Sequence, residues 1–452
     1  MALLCRGHRL DAHPHRYGLR RARRHACDRA RTRRKGHPCP PGPRPHPRRA
    51  VRERRQELSP PAFIPHAVTI YLDNNATTRP TPGVVDAVRR GLEIHWHNPS
   101  SVHRPGQDAR HAMELARAAI AALAGVAPRR LTLTASGTES INMAVRGVLG
   151  ASGKRTLITT GVEHAAVRDL AEQLANDGVT TRLIPLLPGG VADADALDAL
   201  IDDDTALVSV QWANNETGAI QPVERIGAVC RAKGVPFHCD ATQWIGKMPC
   251  DLSADGAPPI DLLTFSAHKF HGPKGCGALW TGPLVRLRPQ TPGSQELGRR
   301  GGTENLPAIL GAAAAAQAAG AWLADAHQRA RLASLRDRFE RAVIDACPGA
   351  TVNAPPDRSA RLWNTTNIGF PRLEAEALLM GFSERGLCAS AGAACSSGSL
   401  DPSPVLLAMG VPPEIAHGSV RFSLSRDTTE DEIDRAVDIV ATVVARMNTL
   451  MP

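Results

Sequence analysis

Beyond about residue 68 the chain alternates short, continuously apolar runs with longer stretches whose apolar residues recur every three or four positions. RTLITT (155–160), TALVSVQWA (205–213), VPFHCDA (235–241) and DLLTFSAH (261–268) read as strands. Between them, AVRDLAEQLAND (166–177) and VERIGAVCRAKG (223–234) have helical spacing and end near Gly or Asn. Strand, helix, strand in repetition builds a parallel or mixed sheet covered by helices, with functional groups gathered where loops leave the strands' C-terminal ends. Residues 304–345 read as almost wholly helical; a smaller α/β segment follows, with strands at TTNIGF (365–370) and SVRFSLS (419–425). The expectation is an α/β protein in three parts: a head over 1–66, a large domain over 67–330 and a small C-terminal domain over 331–452. The boundary between the last two falls near 320–335 inside a long helix, and the first residues of the core pack on the small domain.

Charge sharpens that division. The net charge is +10, yet residues 1–60 carry 18 Lys and Arg against 4 Asp and Glu, while the remainder carries 36 against 40. The head is rich in Arg, His and Pro and nearly free of aliphatics, so it buries too little surface to offset its ordering entropy and is expected to be disordered. A polybasic arm suits nucleic acid, an anionic surface or targeting; the plainer reading is that it does nothing specific, with translation starting nearer Ala67. Apart from that arm, nucleic acid is not an expected partner. Cys5, Cys27 and Cys39 lack paired zinc-binding spacing, and no resident metal is expected. The most apolar run, ILGAAAAAQAAGAWLA (309–324), is interrupted by Gln317 and reads as a packed helix, not a membrane span. The other seven cysteines form no disulfide framework, which fits a reducing cytoplasm.

Candidate chemistry sits at the strand ends. In FSAHKFHGPKG (265–275) Lys269 leaves a buried strand, where desolvation lowers an amine's pKa and makes it a usable nucleophile; Lys274 reads as a surface group. Asp240 ends the strand before it, with Gln243 three residues on. A carboxylate and a lysine so placed are what a pyridoxal-phosphate site needs, although a helix N-cap is the ordinary reading of such an aspartate. TASGTES (134–140) sets small residues and a hydroxyl ahead of a helix, either a phosphate cradle or a capping box of Thr138 and Ser140. GVEHAAV puts His164, and WANNETG puts Asn214 and Asn215, at further strand ends. Each alone is a turn; together they form a site. Cys395, within SAGAACSSGSLDP (390–402), reads on composition alone as a chance surface thiol.

YLDNNATTRPTP, NPSSVHRPGQDAR, SGTES, EHAAV, ANNETG, DATQ, SAHKFHGPKG, GRRGGTEN, ACSSGS and VRFSLSRDTTEDEID occur in the order found in cysteine desulfurases. The chain from Val68 to its C-terminus resembles these class V, fold type I pyridoxal-phosphate enzymes, closest to the nitrogen-fixation and iron–sulfur-cluster branch. The resemblance implies a large domain with a mostly parallel seven-stranded sheet between helices, plus the small domain. It implies that Lys269 carries the cofactor, Asp240 pairs with the ring nitrogen and His164 stacks on the ring. Asn215 and Gln243 match contacts to ring substituents, and Gly137, Thr138, Ser266 and His268 match the phosphate cup. Thr303 matches a phosphate contact made to the second subunit of a homodimer. Arg421, with Asn215, matches the grip on the substrate carboxylate. Cys395 matches the cysteine that takes sulfur from L-cysteine as a persulfide; the small residues around it give it reach, with Gly392 and Gly398 as candidate hinges. The resemblance favours an iron–sulfur scaffold as acceptor, with tRNA thiolation or other sulfur cofactors behind it, and Cys395 would at most ligate a cluster in passing. The chain departs from the pattern at TPGSQEL, where Leu297 replaces an arginine, and in the less serine-rich AGAAC. Alternatives are a selenocysteine lyase, an aminotransferase, for which a loop thiol is useless, and a non-catalytic partner acting through its head.

Overall fold

The computed structural model describes residues 69–392 and 401–450. The basic head, Cys395 and Gly398 lie outside the described residues. The two-residue strand β1 (Ile70–Tyr71) comes first, followed by β2 (Leu131–Thr134), β3 (Thr156–Thr160) and β4 (Thr180–Ile184). β5 (Leu186–Leu187) and β6 (Val191–Ala192) pair as a small hairpin. β7 (Thr205–Gln211), β8 (Phe237–Asp240), β9 (Leu262–Ser266) and β10 (Gly277–Thr281) complete a seven-stranded sheet ordered β2-β10-β9-β8-β7-β3-β4. Pairing is parallel from β9 through β4; β10 runs antiparallel to both β9 and β2. The four large-domain strands read from the sequence are β3, β7, β8 and β9, each shorter by one to three residues.

The alternation along these strands builds two layers. Ile158, Val208 and Leu263 join a core under the helices Pro82–Glu93, Arg104–Ala122, Val223–Lys233 and Leu306–Leu323. Their neighbours Leu157, Leu207 and Leu262 point to the other face, against the helices Gly137–Ser152 and Ala165–Asn176. Because both faces are covered, β7 is buried at every position, which is why it reads as an unbroken apolar run. Leu306–Leu323 is long and apolar enough to cross a membrane. Here half of it is buried, and Gly91 and Gly311 let the helix Pro82–Glu93 lie directly against it.

A separate core is built on β11 (Thr351–Val352), β12 (Thr365–Gly369) and β14 (Ser419–Ser423), an antiparallel sheet, with β13 (Leu387–Cys388) pairing parallel with β1. Ile70 and Leu72 pack there with Phe339, Phe370, Phe382 and Phe422, each fully buried Phe stabilising by roughly 1.5–3 kcal/mol. The long helix expected through 304–345 is two, Leu306–Leu323 and Ala326–Ala346. The break falls at Asp325, whose carboxylate accepts from His327 N at 2.9 Å and caps the second helix.

Candidate active site

Five strand ends and the β1 and β14 segments surround one cavity of about 200 Å³. At the end of β2, Ser136 caps the helix Gly137–Ser152, its Oγ accepting from Glu139 N (3.1 Å) while Glu139 Oε2 accepts from Ala135 N (2.6 Å). The capping box is therefore Ser136 with Glu139, not Thr138 with Ser140: the cap falls two residues earlier, and Gly137 and Thr138 are left with free helix-terminal N–H groups at the cavity wall. A Cβ on Gly137 would sit 3.3 Å from Thr242 Oγ1 and 3.5 Å from Ser266 Cβ. A methyl there would make the Thr242 side chain give way slightly and narrow this end of the cavity.

His164 follows β3 and caps the helix Ala165–Asn176, its Nδ1 accepting from Ala166 N at 3.0 Å. That bond places the proton of the neutral ring on Nε2. Burial lowers the His164 pKa, with Lys269 adding to the effect and Asp240 opposing it. Beside it Glu163 is fully buried, its Oε2 accepting from Gln211 N (2.9 Å) and its Oε1 lying 2.6 Å from Thr160 Oγ1; burial pushes its pKa up to about 8.

After β7, Asn214 Oδ1 accepts from the N–H groups of Glu216 and Thr217 (2.8 and 2.9 Å), so this residue builds the turn. Asn215 is the one that lines the cavity. Asp240, closing β8, accepts through Oδ1 from Thr242 N and Oγ1 (3.0 and 2.6 Å). Ser266 closes β9, and His268 and Lys269 come from the turn between β9 and β10. Lys269 Nζ donates to the carbonyls of Asn75 (2.7 Å) and Ala76 (2.9 Å), and His268, 3.2 Å from Thr77 Oγ1, is lowered to about 4 by burial and the adjacent lysines. Arg421, fully buried on β14, donates through Nη2 to Asp73 Oδ1 (2.7 Å) and through Nη1 to Asn215 O (3.1 Å).

Two buried atoms of this wall have no protein partner, Oδ1 of Asn215 and Nε of Arg421. Unpaired buried polar atoms cost about 1–3 kcal/mol each, so their presence in a cavity wall marks a ligand site. Gly137, Thr138, His164, Asn215, Asp240, Gln243, Ser266, His268, Lys269 and Arg421 all line it. Thr303 does not; it is exposed on the loop before the helix Leu306–Leu323. Cys395 lies outside the described residues, but the chain on either side of it is placed. Ser390 exchanges backbone hydrogen bonds with Arg421 (2.7 and 3.2 Å), and Ser403 Oγ donates to buried Glu216 at 2.6 Å. Leu297, the departure from the pattern, is 71% exposed, so its side chain stays clear of the cavity. It and Glu296 adopt left-handed backbone angles, and the buried Glu296 carboxylate is held by Arg117 at 2.6 and 2.8 Å and by Leu133 N.

Sequence reasoning overlooked Asn75. Its carbonyl receives Lys269 Nζ and Gln243 Nε2, its Nδ2 donates to Asn215 O and Thr365 Oγ1, and its N–H donates to Ser423 Oγ. The paired asparagines of YLDNNATT were the available signal. The fold and the site both have counterparts among known proteins. The model of the family described as Aminotransferase class-V matches residues 70–436. A cysteine desulfurase of Nostoc sp. is 44% identical over 385 residues, 85% of this chain and 94% of that protein. A solved NifS-like protein is 35% identical, with a TM-score of 0.77 over 84% of this chain and all of that one. A structure described as SspA in complex with cysteine is 30% identical, with a TM-score of 0.68 over 78% of this chain and 98% of that one. With this sheet, this ring of strand-end residues and likeness over nearly the whole described body, the chain belongs to the class-V aminotransferase family, among its cysteine desulfurases.

Proposed function

We propose that the cavity binds pyridoxal 5′-phosphate through Lys269, and that the enzyme removes the sulfur of L-cysteine to give L-alanine and a persulfide on Cys395. The observation that carries this reading is the convergence of an amine, a carboxylate and a guanidinium, Lys269, Asp240 and Arg421, on one cavity with unpaired buried polar atoms. The donor set fits the cofactor. The N–H groups of Gly137 and Thr138, with Ser266 and His268, suit a phosphate at a helix N-terminus. Asp240 suits the ring nitrogen, His164 the ring face, and Asn215 and Gln243 the ring substituents, while exposed Thr303 would serve the second subunit of a homodimer. On this reading residues 67–330 form the cofactor domain and 331–452 the small domain that carries Arg421 and Cys395.

When bound, the cofactor supplies an electron sink for charge developing at the substrate α-carbon. Arg421 holds the substrate carboxylate, its unpaired Nε adding a donor to the fork. Lys269 Nζ removes and returns the proton at Cα. His164, neutral and with its proton on Nε2, moves further protons. The Cys395 thiolate attacks substrate Sγ: an S–S bond forms, the Cβ–Sγ bond breaks, and Cβ keeps the electron pair and gains a proton to complete alanine. The persulfide, a reversible cap, is then passed to an acceptor thiol such as that of an iron–sulfur scaffold in the cytoplasm. Replacing Cys395 with Ser is expected to stop alanine formation and persulfide transfer, read by mass spectrometry, while the visible absorbance of the bound cofactor persists. Lys269→Ala is expected to remove that band. A Cys395→Ser enzyme that forms alanine at the wild-type rate would refute the assignment.

A further inference from the structure

Gln243 owes its orientation to a residue that the chemistry above leaves unused. Lys247, four positions on, is 4% exposed, and its Nζ donates to Asn75 Oδ1 at 2.7 Å and to Gln243 Oε1 at 2.5 Å. Both acceptors are neutral amides, and among the described residues no carboxylate forms an ion pair with it. Burial, with positive Lys269 and Arg421 nearby, holds this amine well below the ordinary lysine range. Burying a cation without a counter-ion costs roughly several kcal/mol, and an apolar side chain of similar length would fill the space without that penalty.

What the amine achieves is the orientation of the Gln243 amide and its tie to Asn75, whose own amide is also held by Asn215 O, Thr365 Oγ1 and Asn364 Nδ2. The oxygen and nitrogen ends of a glutamine are nearly the same size, so an N–H donor fixed beside it draws the oxygen end. Lys247 holds Gln243 Oε1. The –NH₂ group must then face away, where one N–H reaches Asn75 O at 3.0 Å and the other is left for the cavity that Gln243 lines. The same Asn75 carbonyl receives Lys269 Nζ at 2.7 Å, and the Asn75 side chain is tied down by Lys247 itself.

We propose that Lys247 is a positioning residue: by gripping Gln243 Oε1 and Asn75 Oδ1 it presents the Gln243 –NH₂ to the cofactor and sets the carbonyl seat of Lys269. The proposal rests on the reading of the cavity as the pyridoxal-phosphate site. It is tested in the holoenzyme with Lys247→Met, alone and combined with Gln243→Ala. The measurements are kcat and KM for L-cysteine, the maximum and pH midpoint of the bound cofactor's visible band, and Tm.

Lys247→Met is expected to bind the cofactor and melt within a few degrees of wild type, with KM within about twofold. Its kcat falls by roughly 10- to 100-fold, as losses of outer hydrogen-bond partners do, and the visible band moves. In the Gln243→Ala background the same change lowers kcat less than about threefold, because the two residues act as one unit. Wild-type kcat with an unmoved band overturns the proposal, as does an equal loss in both backgrounds or a lowered Tm with kcat intact. Should Lys247→Met be insoluble, Lys247→Gln, whose single –NH₂ reaches only one of the two oxygens, is expected to show the same loss; wild-type kcat there overturns the proposal. Failure of the wild type to bind pyridoxal phosphate overturns the proposed function and this proposal together. A working wild type beside an equally active Lys247→Met enzyme overturns this proposal alone.

Discussion

The strand-end polar residues that line the cavity were legible in the linear sequence. Lys269, Asp240 and His164 each follow a run whose apolar pattern stops at them, so their place on the sheet edge could be inferred without a structure. Asn75 and Lys247 could not be found that way. Their importance comes from hydrogen bonds to residues 4 to 348 positions away, and nothing in their own neighbourhood announces those partners. Glu163 is a similar case, legible as a strand-end residue but not as a buried acid. Its pKa, raised from 4.5 to about 8, means that the folded state holds a proton that the unfolded chain has released between those values. Stability contributed by the protonated group is therefore present below about pH 4.5 and is lost as pH rises toward 8, by an amount of order a few kcal/mol. Glu163→Gln imitates the protonated acid, donating to Thr160 Oγ1 and accepting from Gln211 N. Its Tm is expected to stay flatter than that of the wild type between pH 5 and 8; parallel profiles would show that Glu163 does not titrate in this window.

At the scale of elements, periodicity located strands and helices, while their ends were set by contacts that periodicity does not report. The helical pattern runs through 304–345, but one aspartate side chain at 325 competes for the backbone and divides it. The helix Gly137–Ser152 starts where Ser136 Oγ accepts from Glu139 N and the Glu139 carboxylate accepts from Ala135 N, two residues ahead of the hydroxyl that looked like the cap. Packing between helices rests on single missing side chains. A Cβ on Gly91 would lie 2.6 Å from Pro307 Cα, so Gly91→Val must push Pro82–Glu93 off Leu306–Leu323. The expected cost is about 1–3 kcal/mol, seen as a lowered midpoint in urea, with the strand-end cavity, which neither helix lines, left intact. An unchanged midpoint would mean that the helices slide apart freely.

For the whole molecule, alternation and motif order were enough for an α/β body with a central sheet, because such a sheet must be covered on both faces and its loops must emerge at one end. The reversed strand β10 was not legible, since a strand's direction leaves no mark on its composition. Leu92, Ile94, Trp96 and Leu115 are exposed, and Leu115 lines an open groove between the helices Pro82–Glu93, Arg104–Ala122 and Leu306–Leu323. Exposed apolar side chains of this kind suit an interface, and two copies of the chain are expected to meet on this side. Light scattering should give twice the chain mass for the wild type and a monomer for Leu92→Asp/Trp96→Asp; a dimer in both would place the interface elsewhere. Reversal of β10 has a mechanical consequence. The loops bearing His164, Asn215 and Asp240 are each secured by one strand of the sheet, whereas the turn bearing Lys269 is gripped by two, β9 and β10, zipped together along their length. Freeing the lysine requires unzipping that pair from the sheet, so in hydrogen exchange the amides of 262–266 and 277–281 are expected to be among the slowest in the protein. The lysine proposed to carry the cofactor thus stands on a turn clamped at both ends by the central sheet.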